Sequence, residues 1–221
     1  MVKSSLAEIS PRNRILDAAE ELFARRGFAG VGMSEIAETV GLSKSSLFHH
    51  FHTKAQLYAA TVDRILGEVD STLTRSLAQG GSAAQRLDRW VDSLIDLLAT
   101  TPAHSRLLLR SLFEDDELSG DIPEQQQADR ALRRILQQVS NVLRDGMAQG
   151  EIRAASIPHT LQSLIGIVVF HFASGEFGDD VIGGSIFAAK EVERRKREVK
   201  ATLRHGIFAG AAQHTQTTGG Q

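Results

Sequence analysis

The chain has 221 residues, 42% of them hydrophobic, a formal net charge of −2 and no cysteine. That length allows one large domain or two smaller ones with a sizeable core. The missing thiols exclude disulfides, zinc fingers and cysteine catalysis, and they suit a reducing compartment. Residues 1–60 hold seven Lys/Arg against six Asp/Glu, so bulk charge does not announce nucleic acid. The opening MVKSSLAEIS lacks the long apolar core of a signal peptide. The most apolar run, Leu164 to Phe172, is too short and interrupted to cross a bilayer. A soluble cytoplasmic protein with no membrane partner is expected.

Ser10-Pro11 is a helix start, with Ser as N-cap and Pro at the first helical position. The helix runs to about Arg26 and carries Ile15, Ala18, Ala19, Leu22 and Phe23 as its apolar stripe. Gly27 ends it, and Gly32 caps the next helix. Ile36, Ala37 and Val40 then share one face, Gly41 supplies a left-handed turn position, and Ser43 caps a second short helix. Leu47, Phe48 and Phe51 are expected to point inward. The opposite face shows Lys44, Ser45, Ser46, His49 and His50. From Thr39 through Gln56 there is no acid, but there are two lysines and three histidines. Two short helices around a glycine turn, the second with an acid-free polar face, have the layout of a helix-turn-helix reader.

Thr53 to Gln56 reads as a capping box opening a fourth helix of about 25 residues, on the order of 37 Å long at 1.5 Å per residue. Gln79-Gly80-Gly81-Ser82 breaks the chain. Helical periodicity resumes over Ala84–Thr100, from Thr101-Pro102 through Leu112, over Pro123–Gln149 and from Ser156 through Phe172. An acidic loop, Glu114 to Asp121, separates the second and third of these. A Gly- and Asp-rich loop, Ser174 to Gly184, precedes a last helix from Ser185 to about Ala209. Nothing alternates with period two, so the fold class is all-α: an N-terminal three-helix helix-turn-helix domain plus a larger helical domain. The expected bounds are 10–56, 57–211 and a flexible tail, 212–221.

Residues 12–58 resemble the DNA-binding domain of the tetracycline-repressor (TetR) family of bacterial transcription regulators. RILDAAEELFARRGFAG (14–30) and SEIAETVGLSKSSLFHHFHTKAQLY (34–58) carry the likeness. The resemblance implies a homodimer on a two-fold symmetric duplex operator, released by a small-molecule effector. Two positions depart from the pattern. Gly32 stands where the family has a Ser or Thr cap, and Phe48 where it has a phosphate-touching Tyr.

Major-groove readout needs donors and acceptors without negative charge. Lys44 suits guanine acceptors or a phosphate, and Ser43, Ser45 and Ser46 sit around the first turn. His49 is an exposed donor. His50 matches the family's phosphate-contacting His, and Lys54 adds charge at a helix N-terminus. His49 and His52 have a spacing two metal ligands could share, but without a Cys or acid nearby no metal is assigned. No cofactor is assigned either. The run EVERRKREVK (191–200) intersperses glutamates at helical spacing and reads as a solvated face or interface rim, not a second DNA site.

Leu161, Leu164, Ile165, Val168 and Phe172, with Val192, Val199 and Leu203 of the last helix, are the expected dimer interface. The resemblance implies an intersubunit four-helix bundle there. Trp90, Leu94, Leu97, His104, Leu108, Phe113, Phe170, His171 and Phe177 are the candidate effector pocket. Few aromatics and no buried acid cluster point to a neutral or anionic apolar effector. An effector-independent DNA-binding protein is the alternative. A small helical enzyme is disfavoured because no nucleophile–base pair, metal constellation or glycine-rich phosphate loop is present.

Overall fold

Ser10 opens helix α1 (Pro11–Arg26) as its sequence predicts: its hydroxyl accepts from the Asn13 N–H at 3.3 Å, and Pro11 takes the first helical position. The structure, a computed structural model, describes residues 10–112 and 122–205. Among these are ten helices and no strand. Ile15, Ala19 and Phe23 are buried as expected, but Ala18 and Leu22 are only half-buried. The buried stripe lies slightly further round, through Leu16, Ala24 and an acid, Glu20.

Gly27, at φ 72°, turns the chain toward α2 (Met33–Thr39), capped by Gly32 without a side-chain hydrogen bond. Gly41, at φ 68°, makes the turn into α3 (Lys44–His50), while the Leu42 N–H returns to the Ala37 carbonyl at 2.9 Å. Open space surrounds the missing Cβ of Gly41, so only the backbone demands glycine there. Ser43 caps α3 by accepting from the Ser46 N–H at 3.1 Å. Leu47 and Phe51 close the core of this trio with Ile15, Ile36 and Ala37.

Helix α4 (Lys54–Leu77) runs on from the trio into the rest of the chain. Thr53 caps it, accepting from the Gln56 N–H at 3.0 Å. The expected capping box is only half made: the Gln56 carbonyl oxygen accepts from the His52 N–H at 2.8 Å instead of from Thr53. The Gln56 Oε1 is thus taken by His52, while its Nε2 donates to Glu124 at 2.8 Å. A complete box does form at Ser82–Gln85, opening α5 (Ala83–Thr100). Then follow α6 (Pro102–Ser111), α7 (Pro123–Ala148) and α8 (Ile157–Ala173).

The Gly- and Asp-rich loop is itself partly helical: α9 (Glu176–Ile182) ends at left-handed Gly183. Helix α10 (Ala189–His205) accordingly starts later than its sequence suggests. The acidic loop Glu114–Asp121, Phe113 and the tail lie outside the described residues.

Helices α4 and α7 pack side by side, with Asp70 accepting from Arg134 Nε and Gln138 Nε2, each at 2.9 Å. The basic run of α10 meets α5. Lys196 pairs with Asp96 at 2.6 Å, Lys200 with Asp92 at 2.8 Å, and Arg204 with Asp88. As numbers rise on one helix they fall on the other, so the two run antiparallel and the bonds form a three-rung ladder one turn apart. Lys196 and Lys200 of the run 191–200 are thus paired within the fold.

No single described helix is long and apolar enough to cross a membrane; α8 and α9 pass that test only as a pair bent by 97°. Along α8, Leu164, Val168 and Phe172 face this chain's own core.

The backbone requirement at Gly41 gives a direct test. Gly41→Ala should lower stability by about 1 kcal/mol, and Gly41→Asn by less, because Asn tolerates the left-handed region better. Urea midpoints at constant m-value would measure both.

Candidate nucleic-acid interface

Helix α3 is held from below and open above. Leu47 is fully buried, and Phe51 lies beneath the Arg12 guanidinium at 5.0 Å. Arg14 donates to the Val40 carbonyl and Arg26 pairs with Glu35, so two cations of α1 fasten α2 and its following turn. Lys44, Ser45 and His49 are exposed, and Ser46 and His50 are half-exposed. The His49 and His50 rings stand edge to face at 5.7 Å. Side chains of both hydrogen-bonding types therefore share one outward face that carries no carboxylate.

Several expected roles change once the partners are visible. The Ser43 hydroxyl is engaged as the cap and lies 3.0 Å from the Ser45 hydroxyl. Phe48 is half-exposed, not fully inward, and Lys44 lies over its ring at 5.9 Å. Lys54 is less free than its position suggests: its ammonium donates to the Phe28 carbonyl at 2.9 Å and lies over the Phe28 ring at 4.2 Å. Phe28 in turn packs edge to face on Tyr58 at 5.4 Å, and Tyr58 on Phe23 at 5.1 Å. Lys54 thus ties the start of α4 to the end of α1.

A second tie between these helices was not anticipated. Glu20, 5% exposed, accepts from His104 Nε2 at 3.0 Å and from an Arg64 nitrogen at 2.6 Å. Arg64 also reaches Asp17 at 2.6 Å, and Glu68 lies 4.0 Å from His104. This cluster joins α1, α4 and α6. Burial alone would raise the Glu20 pKa, but the hydrogen bonds and charges of His104 and Arg64 outweigh it and hold the carboxyl below its ordinary 4.5. His104 was expected in an effector pocket; it is instead the α6 end of this cluster. Its sequence signal was weak, because a Glu at the edge of an apolar stripe looks like any solvated helix acid.

The other expected pocket residues do not surround one cavity. Trp90 and Leu94 are core residues, and Leu97 and Leu108 are half-buried. Phe170 and Phe177 are 53% and 63% exposed on the outer side of α8 and α9. With His171, Val181 and Ile182 they line an open groove of about 310 Å³. Burial, then the nearby Arg195 charge, lowers the His171 pKa to about 4, so its ring is neutral at pH 7. Between α4, α6 and α7 there is a cavity of about 70 Å³, lined by Tyr58, Val62, Leu66, Leu112, Ala128 and Leu132 among others. Of the expected dimer residues, Leu164, Val168, Phe172, Val192 and Val199 are buried within this one chain. Leu161, Ile165 and Leu203 remain half-exposed.

The sequence profile of bacterial regulatory proteins of the tetR family matches residues 15–61, which span α1 through α3 and the first turns of α4. Residues 15–61 are a tetR-family domain. The HTH-type transcriptional activator FasR of Mycolicibacterium smegmatis is 34% identical over 105 residues, 48% of this chain and 46% of FasR. The chain spans about half the length of the curated relatives it matches.

Among solved structures, the regulator FadR from Bacillus subtilis in complex with stearoyl-CoA superposes with a TM-score of 0.70 at 18% identity. The match covers 89% of this chain and 99% of that one. AibR in complex with isovaleryl coenzyme A and operator DNA gives 0.73 at 19% identity, covering 90% and 100%. At such identities the likeness is one of fold, and it extends well beyond the tetR-family domain into the later helices.

The buried carboxylate sets a stability test. A depressed pKa stabilises the fold above the ordinary carboxyl range, and that stabilisation disappears as pH falls below about 4.5 through the folded value. Glu20→Gln should therefore flatten the acid limb of a stability–pH curve. Glu20→Ala should cost on the order of 3 kcal/mol at pH 7, because it strands His104 and leaves Arg64 short of a counter-charge.

Proposed function

We propose that this protein is a dimeric DNA-binding transcriptional regulator of the tetR type, most simply a repressor that a small apolar ligand releases from a two-fold symmetric operator. The observation that carries the reading is α3: capped by Ser43, anchored by Leu47, and turning an acid-free polar face outward. Lys44, Ser45, Ser46 and His49 are assigned to base edges and nearby phosphates, and His50 to the backbone. Ser43, Phe48 and Gly32 shape the approach. Lys54 can offer its remaining donors to a phosphate while it stays on Phe28. The reader is assigned to residues 10–56 and the effector and dimer functions to residues 57–211. The setting is the bacterial cytoplasm, and no enzymatic role is assigned.

A second copy is assigned to the outer face of α8 and α9. Phe170, Phe177, Val181 and Ile182, 39–70% exposed, form an apolar surface larger than isolated exposed residues explain. Leu161 and Ile165 extend it along α8. The neutral His171 ring adds no charge to it. Two recognition helices in such a dimer match two half-sites about one DNA turn apart.

The effector is assigned to the middle helices. The Trp90 indole N–H there is buried without an acceptor, where buried indoles ordinarily find one. The cavity of about 70 Å³ beside α4 is too small for a drug-sized ligand, so binding requires the helices to part. That parting would move α4 and change the spacing of the two readers, a population shift between two arrangements. Acyl-CoAs, named for FadR and AibR, are the first class to try.

Selection of bound duplexes from a random pool tests the reading, with enrichment of a two-fold symmetric motif expected. On that motif Lys44→Ala should weaken binding and reduce the salt slope by about one per half-site. Enrichment of no motif would count against it. Phe170→Asp combined with Val181→Asp should give a folded monomer by sedimentation and lose operator binding at nanomolar protein. A double variant that remains dimeric would place the interface elsewhere.

A further inference from the structure

Where the end of α1 meets α6 and the junction of α8 and α9, an open cleft of about 600 Å³ is lined by Arg25, Arg106 and Arg110, with Glu176 as its one acid. Its remaining walls are Ala24, Leu109, Ala173, Ser174 and Phe177. The cations here differ from those of the α5–α10 ladder. Arg25 and Arg106 make no hydrogen bond or ion pair among the described residues. Arg110 donates from Nε to the Ala24 carbonyl at 3.2 Å, which fixes one edge of its guanidinium at the seam between α1 and α6.

The floor of the cleft is shaped around one of these guanidinium groups. Gly175 is buried at φ 54° and ψ −125°, and a Cβ there would collide with the Arg106 guanidinium. Glycine is therefore required both by its own backbone and by the approach of Arg106. Half-buried Arg106 is held against the α8–α9 junction without an ion pair among the described residues. Guanidinium groups that share a partly apolar cleft repel one another, and an oxyanion relieves this by accepting paired N–H bonds. The volume lies within the range of small-molecule sites, roughly 300–1,000 Å³. Leu109 and Phe177 give an apolar wall beside the cations.

We propose that this cleft binds the oxyanionic head of an amphiphilic small molecule, a phosphate ester or a carboxylate, with Arg25 and Arg106 as the principal ligands. The proposal rests on the regulator reading only for its consequence. Such an anion would bridge α1 to α6 and to the α8–α9 junction, and so act on the position of the tetR-family domain. The walls contributed by α8 and α9 favour a small molecule over a DNA phosphate.

Octyl phosphate, octanoate and octanol are the probes, titrated calorimetrically into the full-length protein. This needs no operator, so its failure is separable from failure of the regulator reading. Saturable binding of octyl phosphate or octanoate, one per chain, is expected, and the stronger of the two identifies the head group. Octanol should bind at least ten-fold more weakly. Arg106→Ala and Arg25→Ala should each weaken anion binding at least ten-fold, with Arg106→Lys intermediate. Arg25 is exposed and unpartnered among the described residues, so its variant guards against a folding defect at Arg106.

Three results would overturn the proposal. One is no saturable binding of either anion up to about 5 mM, the weak limit of a specific site. Another is equal binding of octanol. The third is unchanged affinity in both alanine variants. With an operator in hand, ligand-free DNA affinity of Arg25→Ala should stay within about two-fold of wild type. A larger loss with a shallower salt slope would instead make the cleft a DNA contact.

Discussion

A carboxylate buried between three helices is the constraint on which the remaining architecture turns. Glu20 sits on the inner side of α1, and it can stay ionised there only because Arg64 of α4 and His104 of α6 donate to it. Removing any member strands the others, so the three helices are fixed by an interaction that tolerates little displacement. Apolar packing alone would let α1 slide by a fraction of an ångström. A charge-assisted hydrogen bond of 2.6–3.0 Å does not. Lys54 on Phe28 adds a tie within the tetR-family domain, and Gln56 on Glu124 one from it to α7.

The consequence for function lies in which helices are joined. Helix α1 carries the cations that fasten α2 and its turn, while α4 and α6 border the cavity beside α7. Under the proposed function, a ligand that parted α4 from α6 would either carry α1 along or break the cluster. In both cases the change would reach the tetR-family domain without a contact to the ligand. The α5–α10 ladder gives the opposite end of the molecule its own fixed geometry. The arginine-lined cleft opens along the seam of α1 and α6.

Much of this was legible in the sequence because the relevant signals are local. Ser10-Pro11, Gly32, Gly41 and Ser43 state where helices begin and where the backbone turns, and each does so in the structure. The all-α class followed from periodicity. What stayed hidden depends on partners far away in sequence. Glu20 looks like an ordinary helix acid until His104, 84 positions later, is placed beside it. Gln56 completes no capping box because the His52 N–H takes its Oε1, and its Nε2 reaches Glu124, 68 positions later. Helix α9 was obscured by its glycines, which serve as its flanking caps and as close-packing positions. On α8, apolar residues around most of the circumference could not reveal which served this chain and which faced outward. Leu164, Val168 and Phe172 proved to be core, and Phe170 surface.

The central claim is that the Glu20 cluster makes the tetR-family domain and the helices behind it one cooperative unit. Denaturant unfolding followed by two probes tests this most directly. Trp90, the single tryptophan, reports by fluorescence on the helices behind the tetR-family domain. The ring resonances of His49, His50 and His52 report on α3 and its end. The two transitions should coincide in the wild-type protein and separate in Glu20→Ala, with the histidine probes unfolding first. Separate transitions in the wild-type protein, or coincident ones in Glu20→Ala, would contradict the account.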